Sequence, residues 1–159
     1  MPILNARVQI DGDSPQGDLQ EIDPKTGLQQ TGPRVPIVLT PPQQQLDAMR
    51  ARGETLPQPV QGMALIDTGA SATCIDGQAA EQAGLTIVDT GPLISATDEE
   101  IVPIFAARLD MLGFPGWNAS RAYGTNLAMQ DLIALIGRDV LMDSVLIYNG
   151  PDGSFSIAQ

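Results

Sequence analysis

Met63-Ala64-Leu65-Ile66-Asp67-Thr68-Gly69-Ala70-Ser71 is the stretch on which the fold of this chain turns. Four consecutive apolar residues fit a buried strand, and the run stops abruptly at Asp67. An Asp on a tight turn directly after a buried strand has its carboxylate pushed clear of the apolar face. Gly69 fixes the backbone of such a turn, and the Thr68 hydroxyl can lock it. The chain becomes extended again over 72–75, so a polar turn is held between two apolar strands.

Outward from this turn, Asp76 is a good N-cap for a helix over 78–82, with Gly84 as its stop. Residues 93–95 and 101–105 flank Ala96-Thr97-Asp98-Glu99-Glu100 and predict a protruding hairpin, followed by a strand over 108–112 and a turn over 113–117. Leu132-Ile133-Ala134-Leu135-Ile136 predicts a second buried strand, stopped by Gly137-Arg138-Asp139, with a short helix beginning at Val140. Residues 144–148 and 154–158 alternate apolar and polar around Asn149-Gly150-Pro151-Asp152-Gly153, a C-terminal hairpin.

Upstream, residues 1–60 hold nine of the 13 Pro and are the less regular part, with a loop-like stretch over 11–33. Residues 6–10 alternate like a strand. Residues 34–39 predict an edge strand, since Pro36 cannot donate to a ladder, and the two strands are expected to pair with each other. Pro41-Pro42 then opens a short helix that carries Leu46 and Met49 and ends at Gly53. The expected fold class is all-β, with two or three short helices. The expected division is an extension over 1–60, packed on a domain over 61–159.

Composition removes several chemistries. With no His and a single Cys, Cys74, the 159-residue chain can build neither a Ser-His-Asp triad nor a His/Cys zinc site. No metal or other cofactor is expected, and Cys74 reads as a small buried hydrophobe. A net charge of −11 disfavours nucleic acid and anionic membrane surfaces as partners. Residues 1–7 lack the basic region and apolar stretch of a signal peptide, so the expected location is cytoplasmic. Aromatics make up only 4% of the chain, so its core must be aliphatic, and 16 Gly favour turns and short strands.

Leu65-Ile66-Asp67-Thr68-Gly69-Ala70-Ser71 resembles the catalytic loop of the retroviral-type (retropepsin-like) aspartic proteases, whose pattern is an apolar pair, Asp-Thr-Gly, then Ala or Ser. The family carries a second element further along: two apolar residues, Gly, Arg, Asp or Asn, then a short helix. Ile136-Gly137-Arg138-Asp139-Val140-Leu141 matches it about 70 residues after Asp67. The resemblance covers about residues 60–159 and implies a closed acid-protease barrel with a flap hairpin. It implies an aspartic endopeptidase with Asp67 as the catalytic residue, supported by Thr68, Gly69, Ala70 and Ser71. Gly137, Arg138 and Asp139 form the second structural element. Ile94, Ser95, Ala96, Thr97, Val102 and Ile104 are the flap residues expected to bind substrate.

The mechanism of this family needs two aspartates sharing one proton. One matching loop per chain therefore implies a two-fold homodimer acting on a peptide or protein substrate, with Asp67 from each subunit facing across the axis. The terminal strand over 154–158 is expected to pair across the subunit interface. A second Asp89-Thr90-Gly91 triplet does not complete the pair within one chain: it lies 22 residues from the first, Pro92 stands where Ala or Ser belongs, and it reads as a turn before the flap. Ser71 replaces an Asp that many members pair with the Arg of the second element, which leaves Arg138 to bond the other subunit, Asp139 or backbone carbonyls. The alternative is a non-catalytic peptide-binding or structural dimer of the same fold. An aspartyl-phosphate enzyme is disfavoured because the only Lys is Lys25.

Overall fold

The computed structural model describes residues 2–8, 11–13, 19–94, 99–111 and 113–159. Among them, the strands are β1 (Ile3–Arg7), β2 (Asp11–Asp13), β3 (Leu19–Glu21), β4 (Arg34–Thr40), β5 (Val60–Ile66), β6 (Cys74–Asp76), β7 (Ile87–Ile94), β8 (Glu99–Met111), β9 (Phe114–Thr125), β10 (Ala134–Ile136), β11 (Val145–Asn149) and β12 (Ser154–Ala158). The helices are α1 (Pro24–Thr31), α2 (Gln43–Ala51), α3 (Gly77–Gln82) and α4 (Arg138–Leu141). The chain is mostly β.

Seven strands form the main sheet in the order β4-β5-β10-β6-β9-β8-β7, and β4 also pairs with β8. β1-β12-β11 form a second sheet and β2-β3 a small third one. β4 shows the period of two that a strand with one core face requires: Val35, Ile37 and Leu39 are buried between more exposed neighbours. These side chains join Ile66, Leu109, Ile136, Phe155 and Ile157 in one core that draws on both larger sheets, and it is not purely aliphatic as expected, since Phe105, Phe114 and Trp117 are buried in it too.

The pairing that positions the site is parallel. β10 lies beside β5 in the register Ala134↔Ala64, Leu135↔Leu65, Ile136↔Ile66. Two parallel strands in this register end at the same level, so the turn after Ile66 and the turn after Ile136 leave the sheet side by side. The Asp67 N–H donates to the Ile136 carbonyl at 2.9 Å, which ties the two turns at their roots.

Several expectations need correction. Residues 11–33 are not all loop, because α1 fills 24–31: Asp23 caps it by accepting from the Thr26 N–H, Pro24 opens it, and Leu28 is buried. Among the described residues the α-helices therefore number four rather than two or three. The first strand is β1, which pairs with β12, and β4 pairs with β5 and β8 instead of with it. β4 is consequently no simple edge. Its contact with β8 begins at Val38, beyond Pro36, so the missing N–H falls where no β8 partner stands. The turn expected over 113–117 is the start of a 12-residue strand, β9, in which Trp117, Ala119 and Ala122 are buried. Asp89, Thr90 and Gly91 lie within β7, not in a turn.

The C-terminal hairpin forms as expected, but β12 is its sheet's middle strand, flanked by β1 and β11 of the same chain. Both its sides are occupied, so it has no free edge to pair with a partner. No helix of the described residues is long and apolar enough to cross a membrane.

Candidate active site

Asp67 sits half-buried on the first residue after β5. Its Oδ1 accepts from the Gly69 N–H at 2.9 Å and the Ala70 N–H at 3.2 Å, and the Ala70 N–H also reaches the Asp67 carbonyl at 3.3 Å. One carboxylate oxygen is therefore spent on holding the turn. Among the described residues no hydrogen bond or ion pair reaches Oδ2. A Cβ at position 69 would stand 3.1 Å from Oδ1, a tight contact that would press on the folded-back carboxylate.

The second turn braces the first. The Arg138 N–H donates to the Ala70 carbonyl at 3.0 Å. The Arg138 Nη1 donates to the carbonyls of Thr68 at 2.7 Å and Gly69 at 3.0 Å. Of the partners open to Arg138 within its own chain, the backbone carbonyls are the ones its side chain reaches. Ser71 is exposed and takes no part in this brace.

Thr73, fully buried, links the elements from below: its hydroxyl donates to Asp139 Oδ1 at 2.9 Å and accepts from the Gly137 N–H at 3.1 Å. Sequence reading missed Thr73, although a hydroxyl two residues beyond Ser71 in an otherwise apolar strand was the available signal.

Gly137 is where the two segments touch. A Cβ there would meet the Ala72 carbonyl carbon at 2.5 Å and its oxygen at 2.6 Å, both rigid backbone atoms. Gly137→Ala is therefore expected to push the braced turns apart. It should cost activity at least about tenfold and stability about 1–3 kcal/mol, as for other overpacked sites. Thermal unfolding and initial rates measured on the same preparation check this, and an Ala variant matching wild type in both would contradict it.

A pocket of about 520 Å³ opens over Asp67. Gly69, Ala70, Ser71 and Cys74 line it from below, Pro92, Leu93 and Ile94 from β7, and Tyr123, Asn126, Leu127, Gln130 and Leu135 from the far side. β7 and β8 form the expected hairpin, with Ile94 opposite Glu99. Ile94 does line the pocket, whereas Ser95, Ala96 and Thr97 lie outside the described residues. Val102 and Ile104 are 5% and 0% exposed and do not line it: the register places them opposite Gly91 and Asp89, on the packed face of the hairpin. The expectation that these two bind substrate does not fit that burial.

Cys74 is buried as expected, and its burial, aided by the carboxylates of Asp139 and Asp67, pushes its thiol up to about 11. A thiol so protonated is a poor nucleophile. Asp89 is engaged elsewhere: the Thr90 N–H at 2.8 Å and Arg121 at 2.9 Å hold its carboxyl below the usual range. Among the described residues no group of three or more His, Cys, Asp or Glu side chains is gathered as a metal site would need. Comparison of the chain with protein-family models and with curated proteins finds no match.

Proposed function

We propose that the chain is an aspartic endopeptidase that works as a two-fold homodimer, with the Asp67 of each subunit contributing one carboxylate to a shared site. The observation that carries this reading is the state of Asp67: one oxygen is fixed by two backbone N–H groups and the other has no partner among the described residues, at the floor of a pocket. Between a pair of such carboxylates, one proton is shared. The ionised member takes a proton from water as the water attacks the scissile carbonyl, and the protonated member donates to that carbonyl's oxygen. Collapse of the tetrahedral diol passes a proton to the leaving amine.

The pocket supports an extended peptide with apolar side chains, through Leu93, Ile94, Leu127 and Leu135. The same geometry gives no support to an aspartyl-phosphate enzyme. Such an enzyme needs a cation at the phosphate, and Arg138 instead turns its Nη1 to the carbonyls of Thr68 and Gly69 on the turn's backbone. The finer fold assignment, a closed acid-protease barrel, belongs to this proposal too; β4 pairing with both β5 and β8 supports it.

The reading is tested by its pH profile. The mechanism needs one proton shared between the two carboxylates, so only the singly protonated pair is active, and both loss and gain of a proton stop the reaction. Cleavage of an apolar peptide measured from about pH 3 to about pH 8 is therefore expected to be bell-shaped with an acidic maximum. A flat profile, or a rate that climbs into alkali, would overturn the carboxylate-pair mechanism.

A further inference from the structure

We propose that the unpaired half of β5 is a second peptide site, separate from the pocket over Asp67. A slot beside Gln61 takes an extended segment of a partner protein as an added strand, with a Lys or Arg of that segment set against Asp131. The proposal goes beyond the peptidase reading and does not depend on it.

The parity of the ladder opens the edge. β5 pairs with β4 from Arg34↔Leu65 to Leu39↔Val60, and the Ile66 N–H donates to the Pro33 carbonyl at 2.9 Å. Hydrogen-bonded pairs alternate along an antiparallel ladder, so Ala64, Gly62 and Val60 turn their main-chain groups to β4. Pro36, which has no N–H, falls opposite Met63 in one of the other pairs. Gln61 and Met63 therefore aim their main-chain groups at the opposite edge of β5. There β10 pairs only with Ala64, Leu65 and Ile66. The Met63 carbonyl takes the Ile133 N–H at 2.8 Å. Among the described residues nothing pairs with the Met63 N–H or with either main-chain group of Gln61. An added residue can donate to the Gln61 carbonyl and accept from the Met63 N–H if it runs parallel, or exchange both bonds with Gln61 if it runs antiparallel.

The slot exists because the chain stays out of the sheet until β10 begins. A 3₁₀ turn over Ala128–Gln130 ends at Asp131, whose φ of 54° is left-handed, and Ile133 is the first residue to bond β5. A recess of about 430 Å³ is left between β5, α3 and this turn. Gln61 lines it from β5, and Gln78 and Gln82, one helical turn apart, line it from α3. Side-chain amides both donate and accept, which suits the outer edge of a peptide strand whose inner edge is bonded to β5.

Charge selects the peptide. Asp76 and Asp131 are the charged residues that line the recess. The Asp76 carboxylate is fully engaged: Oδ1 accepts from the Gln78 and Ala79 N–H groups at 3.1 Å each, and Oδ2 from the Leu127 N–H at 2.9 Å. Asp131 is exposed, and its carboxylate has no partner among the described residues. One free carboxylate at the rim, on a chain of net charge −11, favours a segment with a cationic side chain.

The same turn separates this recess from the catalytic pocket. Asn126, Leu127 and Gln130 face the pocket over Asp67, whereas Ala128 and Asp131 face the recess, and no residue lines both. A strand added at Gln61 thus leaves the catalytic pocket open.

Fluorescence anisotropy on the full-length Asp67→Asn chain, which should not cut the probe, tests the assignment. The probe is a fluorescein-labelled octapeptide of alternating Val and Thr with one central Lys. Saturable one-to-one binding is expected. Ala128→Trp, at an exposed position on the wall of the recess, should weaken it at least about tenfold. Asp131→Asn keeps a residue that tolerates the left-handed backbone and should weaken it about two- to fivefold, a loss that fades in about 1 M salt. A probe with Glu for Lys should bind more weakly as well. N-methylation of every second residue, made in each of the two phases, should cost at least about tenfold in one phase, since a methylated nitrogen cannot pair with β5. Met142→Ala, remote from the recess, should bind as the parent does. Far-UV circular dichroism checks the fold of each variant.

No saturable binding up to about 1 mM would overturn the proposal, as would undiminished binding by both Ala128→Trp and Asp131→Asn. If both methylated probes bind like the parent, main-chain pairing is wrong. If Ile94→Asp, in the catalytic pocket, abolishes binding while the recess variants do not, the probe sits over Asp67 and the slot is refuted. Binding in the recess by a chain whose wild type cleaves nothing at acidic pH keeps the slot and removes the peptidase reading.

Discussion

Asp67→Asn is expected to abolish peptide cleavage, a loss of at least about 10²- to 10⁴-fold, while leaving the fold in place. The hydrogen bonds explain why the two effects separate. The Gly69 and Ala70 N–H groups need only an acceptor at Oδ1, and the amide oxygen of Asn is one. The second position becomes an NH₂ group, which cannot take a proton from water. A further consequence discriminates the shared site from a single carboxylate acting alone. Two Asp67 side chains facing each other across an axis repel when both are ionised, so at neutral pH the Asn variant should dimerise at least as tightly as wild type.

Asp89→Asn serves as the internal control. Its ion pair with Arg121 is about half exposed on both sides, and such pairs contribute little. Initial rates, sedimentation and thermal unfolding of both variants check the set. An active Asp67 variant beside a dead Asp89 variant would reverse the assignment of the two triplets.

The sequence made the two turns legible because each is a sharp local event: apolar residues stop at Asp67 and again at Gly137. What joins them was not legible from local pattern. The parallel register of β5 on β10 is a property of two segments about 70 residues apart, and no residue in either one encodes it. The partner of Arg138 was equally hidden, because the carbonyls it binds belong to every residue and leave no sequence signature.

β9 escaped for a different reason. Gly113, Pro115 and Gly116 are turn residues by composition, and beyond them the strand buries Trp117 with Ala119 and Ala122, two alanines that read as weak hydrophobicity. Tyr123, at its end, and Asn126 and Leu127, just after it, went unseen for the same reason, although they form the far wall of the pocket. Val102 and Ile104 show how narrow the margin is in a strand: with a period of two, one residue of register separates a side chain facing substrate from one that is buried. α1 carried its signal in Asp23-Pro24, but only Leu28 of its eight residues is a buried apolar anchor, too little for a periodic pattern.

Removal of residues 153–159 is expected to unfold the chain rather than to release a folded monomer. β12 is hydrogen-bonded to β1 over Ile3–Arg7 and to β11 over Val145–Asn149, so its loss leaves two strands with no partner between them. Phe155 and Ile157, 1% and 0% exposed, are lost with it from the common core. Truncation of such side chains to Ala costs about 3–5 and about 2–5 kcal/mol, and a domain has only about 5–15 kcal/mol to lose. The two cavities alone take most of that range, before any ladder hydrogen bond is counted.

Far-UV circular dichroism and urea unfolding are the measurements. Loss of the cooperative transition is the expected result, and a wild-type midpoint would show the strand to be dispensable. The contrast with Ile147→Asp is the informative part. That side chain lies in the same sheet one strand away, but on its outer face and 60% exposed, so its substitution should leave the chain folded. Opposite outcomes from neighbouring strands follow from which face and which edge each presents, since β12 closes the fold and β11 is left open beside it.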